Sequence, residues 1–214
     1  MEADPSTLSA GFPRSLPIFP LAEAVLFPGA ILPLHIFEPR YRKMVHDLLA
    51  GDGLLAMALL QQCSREEYKA SPPYHGTVCV GRILRHEPLA GGRSNLTLLG
   101  ISAGRARSLE TPEPYPVAEV TLIEETMDAA EGWYEERVER AFATAVPEKG
   151  ALEALRAQLA EILDRERIPA ALINTCAFTA PILPRHKLEL LEETSLHRRL
   201  ERLLELLERP WQWN

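Results

Sequence analysis

The spacing of apolar residues changes once along this chain, near residue 125, and that change constrains the fold more than any other feature. Before it, apolar residues come in short runs broken by proline and glycine. After residue 130 they recur every three or four positions, the spacing of one helix face. The short runs predict strands at 16–19, 30–37, 54–61, 77–85, 95–99, 105–109 and 117–123. LLAMALLQ at 54–61 reads as a strand buried on both faces. Gly81 inside 77–85 marks a bulge or a close backbone approach. AGGRS at 90–94 joins 77–85 to 95–99 as a hairpin. One helix interrupts these strands, with Tyr41, Met44, Val45, Leu48 and Leu49 on a single face and Gly51 and Gly53 ending it.

The second half predicts three to five helices. Tyr134, Val138, Ala141, Phe142 and Ala145 make one stripe, broken by Pro147 and Gly150. Leu152, Leu155, Leu159, Ile162 and Leu163 make the next. Pro169 suits the first turn of a helix over 170–178, and Pro184 opens another. Thr194 is the expected N-cap of a last helix, with Leu196, Leu200, Leu203, Leu204 and Leu207 on one face and a solvated charged face opposite. The class is α+β: a β-rich lobe over 14–125 and a helical bundle over 126–209, with tails at 1–13 and 210–214. Many short strands at modest spacing suggest a small barrel or a sandwich.

The most chemically loaded stretch is LPLHIFEPRY, 32–41. Alternation puts Leu32, Leu34 and Ile36 on one strand face and Pro33, His35 and Phe37 on the other. Pro33 lacks an amide hydrogen, so this strand is an edge or is just beginning there. Glu38 stands at the helix start, and Pro39 fits the first helical position. The stretch therefore reads as a strand-to-helix joint, with His35 and Arg40 on different elements. A His35–Glu38 contact stays open.

The net charge of −7 argues against nucleic acid as a partner. Three scattered cysteines, Cys63, Cys79 and Cys176, fit a reducing cytoplasm better than a disulfide framework or a zinc site. The first residues do not resemble a secretory signal, and no apolar run approaches a membrane span of about 20 residues. No Gly-x-x-x-x-Gly-Lys-Ser/Thr occurs, so a nucleotide-hydrolysing loop is not expected. Ser102, in GISAG, reads as the end of a strand, and Lys149 as a hydrated surface amine. A serine–lysine peptidase dyad is thus the weakest alternative. His75 and Cys79 lie on one strand face with a long gap between them, and Glu193 and His197 could share a helix face, but two ligands at a helix terminus are weak evidence of a metal site. Arg82, Arg85, Arg105 and Arg107 could form an RNA patch, but no aromatic-rich strand face accompanies them.

Several segments, taken in order, resemble the substrate-binding N-terminal domain of Lon protease, and most closely its stand-alone bacterial form. They are LPIFPL at 16–21, LFPGAILPLHIFEPRYRKMV at 26–45, GTVCVGRILR at 76–85, LLGISAGRARSLE at 98–110, YPVAEVTLIEE at 115–125 and PRHKLELLEETSLHRRLERLLELLE at 184–208. The resemblance covers about residues 14–209. It implies a pseudo-barrel, similar to RNA-binding PUA-like barrels, carrying one helix and followed by a helical bundle. It implies a non-enzymatic module needing no cofactor or metal. Its partners would be unfolded or extended polypeptide, or a protein of the quality-control machinery that it serves as adaptor. A sheet edge could hold such a chain through main-chain hydrogen bonds, and a groove between the lobes is the expected location. Phe27, Phe37, Tyr41 and Tyr74 are the candidate contact residues, although each also suits a core position. Trp211 and Trp213 either cover the bundle end or are free for contacts.

Overall fold

The computed structural model describes residues 15–127, 131–145, 150–162 and 168–208. Both tails, Pro147, Lys149, Leu163, Trp211 and Trp213 lie outside the described residues. Six strands form one mixed sheet: β1 (Ser15–Leu21), β2 (Ile31–Ile36), β3 (Leu54–Leu60), β4 (Tyr74–Pro88), β5 (Ser94–Leu109) and β6 (Val117–Ile123). β1 pairs parallel with β3; the pairs β3–β4, β4–β5, β5–β6 and β6–β1 are antiparallel. These five strands close into a ring, which leaves few open edges. β2 is added outside it, along the first half of β5. It is an edge strand, as Pro33 predicts.

The pleat sorts side chains onto two faces. Leu16 and Ile18, Leu54, Ala56 and Ala58, Val78 and Val80, and Ala118 and Val120 form one self-contained cluster. The intervening Leu55, Met57 and Leu59 face the larger core, so β3 is buried on both faces as its run of apolar residues predicts. The expected segments 95–99 and 105–109 are one strand, β5. The ladder runs through Gly100 and Gly104. At Gly100 a side chain would strike the Phe27 carbonyl oxygen. Gly81 lies at a shift of register between β4 and β5, the expected bulge.

Helix α1 (Pro39–Leu49) starts at Glu38, whose φ of −68° and ψ of 135° are extended, with Pro39 in the first turn. Tyr41, Met44, Val45 and Leu48 are buried, but Leu49 is 46% exposed, so the stripe is narrower than expected. A second helix, α2 (Arg65–Ala70), corrects the expectation of one. It buries nothing, so no apolar period betrays it. A capping box holds it: Glu67 N–H donates to Ser64 Oγ at 3.2 Å, and Ser64 N–H to Glu67 Oε2 at 2.8 Å.

Helices α3 (Glu131–Ala145), α4 (Ala151–Ile162), α5 (Ile168–Thr179), α6 (Pro184–Glu192) and α7 (Leu196–Glu208) complete the described chain. Tyr134, Val138, Ala141 and Phe142 of α3 and Leu159 of α4 are buried, on the predicted stripes. Helix α5 is buried continuously from Ala171 to Ala177, the mark of a central helix. The N-cap of α7 is Ser195 rather than Thr194: Arg198 N–H donates to Ser195 Oγ at 3.2 Å. The larger core runs through both halves, joining Leu55 and Phe27 to Ile173, Cys176 and Leu200. At the join, Gly29, with φ of +79°, sits where a side chain would collide with Ala171 of α5.

Candidate polypeptide-binding groove

A groove of about 460 Å3 opens between the end of β1 and the outer edge of β2. Phe19, Pro20 and Leu21 form one wall, and Pro33 to Phe37 the other. Tyr41, Leu60 and Tyr68 also line it. Beyond Pro17, β1 has no ladder partner except β3, and β2 none except β5. Each of these facing edges carries a proline, Pro20 or Pro33, and so lacks one hydrogen-bond donor. Such edges resist strand addition, and the apolar walls between them favour burial of side chains. Phe37 stands at the mouth, 60% exposed, and stacks on His35 with ring centroids 6.1 Å apart.

The groove is braced from behind. Tyr41 meets Phe19 edge-on at 4.5 Å. The Arg40 guanidinium lies 5.0 Å from the Tyr41 ring and 4.5 Å from the Tyr68 ring. Glu38 accepts from Arg40 Nη2 at 3.0 Å and from the Tyr68 hydroxyl at 2.7 Å, and Arg40 Nη1 donates to the Tyr68 carbonyl at 2.9 Å. This cluster ties α2 to the start of α1. His35 is not part of it; its Nδ1 bonds Asn95 Oδ1 at 2.8 Å, which closes the open question of a His35–Glu38 contact. The Tyr41 hydroxyl is buried beside the Tyr68 side chain. Burial, only partly offset by Arg40, pushes its pKa well above the usual phenol value.

Of the four aromatic candidates, the groove brings together Phe37 and Tyr41. Phe27 is fully buried, its ring 5.8 Å from the Arg199 guanidinium. Tyr74 is half-buried on β4, and its hydroxyl is 2.7 Å from Ser108 Oγ.

A second cleft, of about 520 Å3, lies between the lobes, beside Ser102, Glu124, Glu125, Asn174 and Leu196. Ser102 lies within β5 rather than at a strand end, and its hydroxyl donates to the carbonyls of Ala103 at 3.1 Å and Ile123 at 3.3 Å. Behind this cleft is a polar knot that sequence reasoning missed. Arg199, in the stretch expected to be a solvated face, is fully buried. Its guanidinium donates to Glu125 Oε1, Asn174 Oδ1 and the Glu193 carbonyl. Asn174 Nδ2 donates to both Glu125 oxygens at 3.1 Å. The signal was present: Arg199 follows Leu196 by three and precedes Leu203 by four, inside the apolar stripe.

The other candidates disperse. Arg105 bonds Thr77 Oγ1 at 2.6 Å and Glu192 at 3.2 Å, and Arg107 pairs with Glu119. Glu193 accepts from Ser195 N–H and Arg198, while His197 pairs with Glu201 and stacks on Trp133 at 3.9 Å. Cys79 is fully buried, and burial pushes its thiol far above the usual range; burial also takes Cys176 up to about 12. Among the described residues no group of three or more His, Cys, Asp or Glu could hold a metal ion.

A closed ring with an added edge strand and a bundle of helices packed on it is the architecture of Lon N-terminal domains. A Lon N-terminal domain protein from Xanthomonas campestris superposes with a TM-score of 0.64, at 26% identity over 89% of this chain and 97% of that one. The N-terminal domain of Mycobacterium avium complex Lon protease shares the fold, with a TM-score of 0.59 at 18% identity. The chain belongs to the family described as the ATP-dependent protease La (LON) substrate-binding domain, which it matches over residues 15–209. It is 26% identical to Lon protease 2 of Myxococcus xanthus over 204 residues, 92% of this chain but 24% of that protein. Over 117 residues it is 32% identical to the Lon protease of Dictyoglomus thermophilum, 14% of that protein. The chain thus spans about a quarter or less of the curated relatives it matches, and the part matched is the substrate-binding domain. Among the described residues no helix is long and apolar enough to cross a membrane.

Proposed function

We propose that this chain is a non-enzymatic polypeptide-binding module that holds extended or partly unfolded segments in the groove between β1 and β2. The observation that carries this reading is Phe37, an exposed aromatic side chain at the mouth of a groove with apolar walls. Family membership supports it, because the matched domain is described by substrate binding. The prolines on both edges favour side-chain insertion over the main-chain pairing expected from sequence. Phe37 and Tyr41 are the proposed contacts. The interlobe cleft is the poorer candidate, because Glu125 and Asn174 on its wall are already engaged by Arg199. A role in protein quality control or as an adaptor, in a reducing cytoplasm, accords with two separately buried thiols, Cys79 and Cys176.

An RNA-binding reading is weakened because Arg105 and Arg107 are engaged by Glu192 and Glu119. A serine nucleophile is disfavoured because the Ser102 hydroxyl is spent on backbone carbonyls. The test is fluorescence anisotropy with a labelled protein kept unfolded by reduction and alkylation, against the same protein folded. The unfolded form should bind, and Phe37→Ser should weaken it about tenfold with an unchanged melting temperature. Equal affinity for both forms, or full binding by the variant, would refute the reading.

A further inference from the structure

Helix α2 reaches the groove through a single side chain. Tyr68 lines the groove and is half-buried, while every other residue of α2 is exposed. Among the described residues, Tyr68 is also the one residue of α2 whose side chain bonds beyond the helix and its cap. Its hydroxyl donates to Glu38 Oε1 at 2.7 Å, its carbonyl accepts from Arg40 Nη1 at 2.9 Å, and its ring lies 4.5 Å from the Arg40 guanidinium. The other bonds of α2 are internal: Tyr68 N–H donates to the Ser64 carbonyl, Ser71 N–H to the Glu67 carbonyl, and the capping box joins Ser64 to Glu67. The excursion that carries α2 leaves β3 and returns to β4 at one place, where Gln61 N–H donates to the Pro73 carbonyl at 2.9 Å and buried Pro72 anchors the return. Compact loops with joined ends have this form. Lifting α2 away breaks what Tyr68 makes and little else, and Leu60 stays paired with Tyr74 at the base. Segments with so few buried apolar contacts open at far lower cost than the core. Helix α1 differs, because Tyr41, Met44, Val45 and Leu48 bury it. Opening also strands no charge: when the phenol leaves, Arg40 Nε and Nη2 still hold Glu38, at 3.2 and 3.0 Å.

We propose that α2 is a flap, latched by Tyr68, that lifts to admit a polypeptide segment and closes on it. Tyr68 is then a contact residue of the groove beside Phe37 and Tyr41. This rests on the groove reading above and adds how the groove takes up its occupant. The walls from β1 and β2 and the back from α1 are fixed by the sheet and the core, so α2 is the side that yields. The Glu38–Arg40 pair is the catch on which the flap closes: it is complete without α2, and it offers one carboxylate oxygen and one guanidinium nitrogen to Tyr68 each time α2 returns.

The experiment follows hydrogen–deuterium exchange of the full chain by mass spectrometry, with and without the reduced and alkylated unfolded protein, and anisotropy of the same unfolded protein on variants. In the free chain, amides of 65–71 should exchange before those of α1. The unfolded protein, at about ten times its Kd, should slow them about tenfold. Tyr68→Phe keeps the ring but loses the bond to Glu38, and should speed that exchange about fivefold at an unchanged melting temperature. Tyr68→Ala should speed it further and weaken binding of the unfolded protein about tenfold. Exchange of 65–71 that the unfolded protein leaves unchanged, or full binding by Tyr68→Ala, overturns the inference. A lowered melting temperature in Tyr68→Phe makes α2 part of the folding unit and overturns it too. The groove reading survives these failures if Phe37→Ser still weakens binding. Indifference of binding to Phe37→Ser sinks the groove reading itself.

Discussion

Two arginine–glutamate joints hold this molecule's elements together in opposite surroundings. Arg40 and Glu38 are two residues apart, at the edge of an open groove, with side chains 13% and 27% exposed. Arg199 and Glu125 are 74 residues apart and link the segment after β6 to α7, with the arginine fully enclosed. At the groove edge Glu38 keeps 27% of its side chain exposed, so losing Arg40 lets solvent take its place on the carboxylate, and the cost is smaller. In the knot, Arg199 and Asn174 are fully buried and Glu125 is 15% exposed on the cleft wall, so losing Arg199 leaves Asn174 with no water to replace its donor. Burial, rather than the number of hydrogen bonds, sets what each joint is worth.

The largest expected effect follows from the enclosed knot. Arg199→Met should cost about 3–5 kcal/mol in urea unfolding, and adding Glu125→Leu should recover much of it. Next comes the join between the lobes, where Gly29→Ala adds a collision with Ala171 to a left-handed backbone. It should cost about 2–3 kcal/mol, whereas Gly91→Ala, at φ of +73° with open space around it, should cost about 1 kcal/mol. Arg40→Met should cost only about 1 kcal/mol by the same unfolding measurement; a loss matching that of Arg199→Met would break the comparison.

The smallest effect belongs to an exposed joint on α1. Hydrogen bonds from Lys43 and then from the Tyr115 hydroxyl lower the Asp47 carboxyl from 3.8 to about 2. A carboxyl lowered on folding stabilises above its unfolded pKa and loses that contribution as pH falls through the folded one. The melting-temperature gap between the parent chain and Asp47→Asn should therefore be steady above about pH 4 and shrink toward pH 2. A gap that stays constant across this window would show that Asp47 contributes nothing through its charge.

What the sequence made legible were features with a local cause. Pro33 announced an edge, Pro39 a helix start, and the 54–60 run a strand buried on both faces, because backbone chemistry and the pleat act over a few residues. Helix α2 had its capping box in plain view at Ser64 and Glu67, but with no apolar face the period was silent. The unity of β5 was hidden because the packing that keeps Gly100 against Phe27 and Gly104 against Val120 exists only in three dimensions. Of the groove, Phe37 and Tyr41 were legible as aromatics, but not that β1 would stand across from β2. Arg199 was misread because charge usually means solvent, and its partners Glu125 and Asn174 lie 74 and 25 residues away.

The long strand β5 serves two neighbours in succession, β2 along its first half and β6 along its second, while β4 runs beside nearly all of it. The β4–β5 hairpin is joined by a short turn, so it forms with little loop closure, whereas joining Ser15 to Glu119 closes a loop spanning most of the lobe. Assembly order is thereby imposed on the chain: the hairpin is the template, and the antiparallel seam of β1 with β6 is sealed late. In pulse-labelled refolding, amides of 78–82 should gain protection before those of Leu16 and Ile18, and newly made chains carry an unsealed barrel until β6 has emerged.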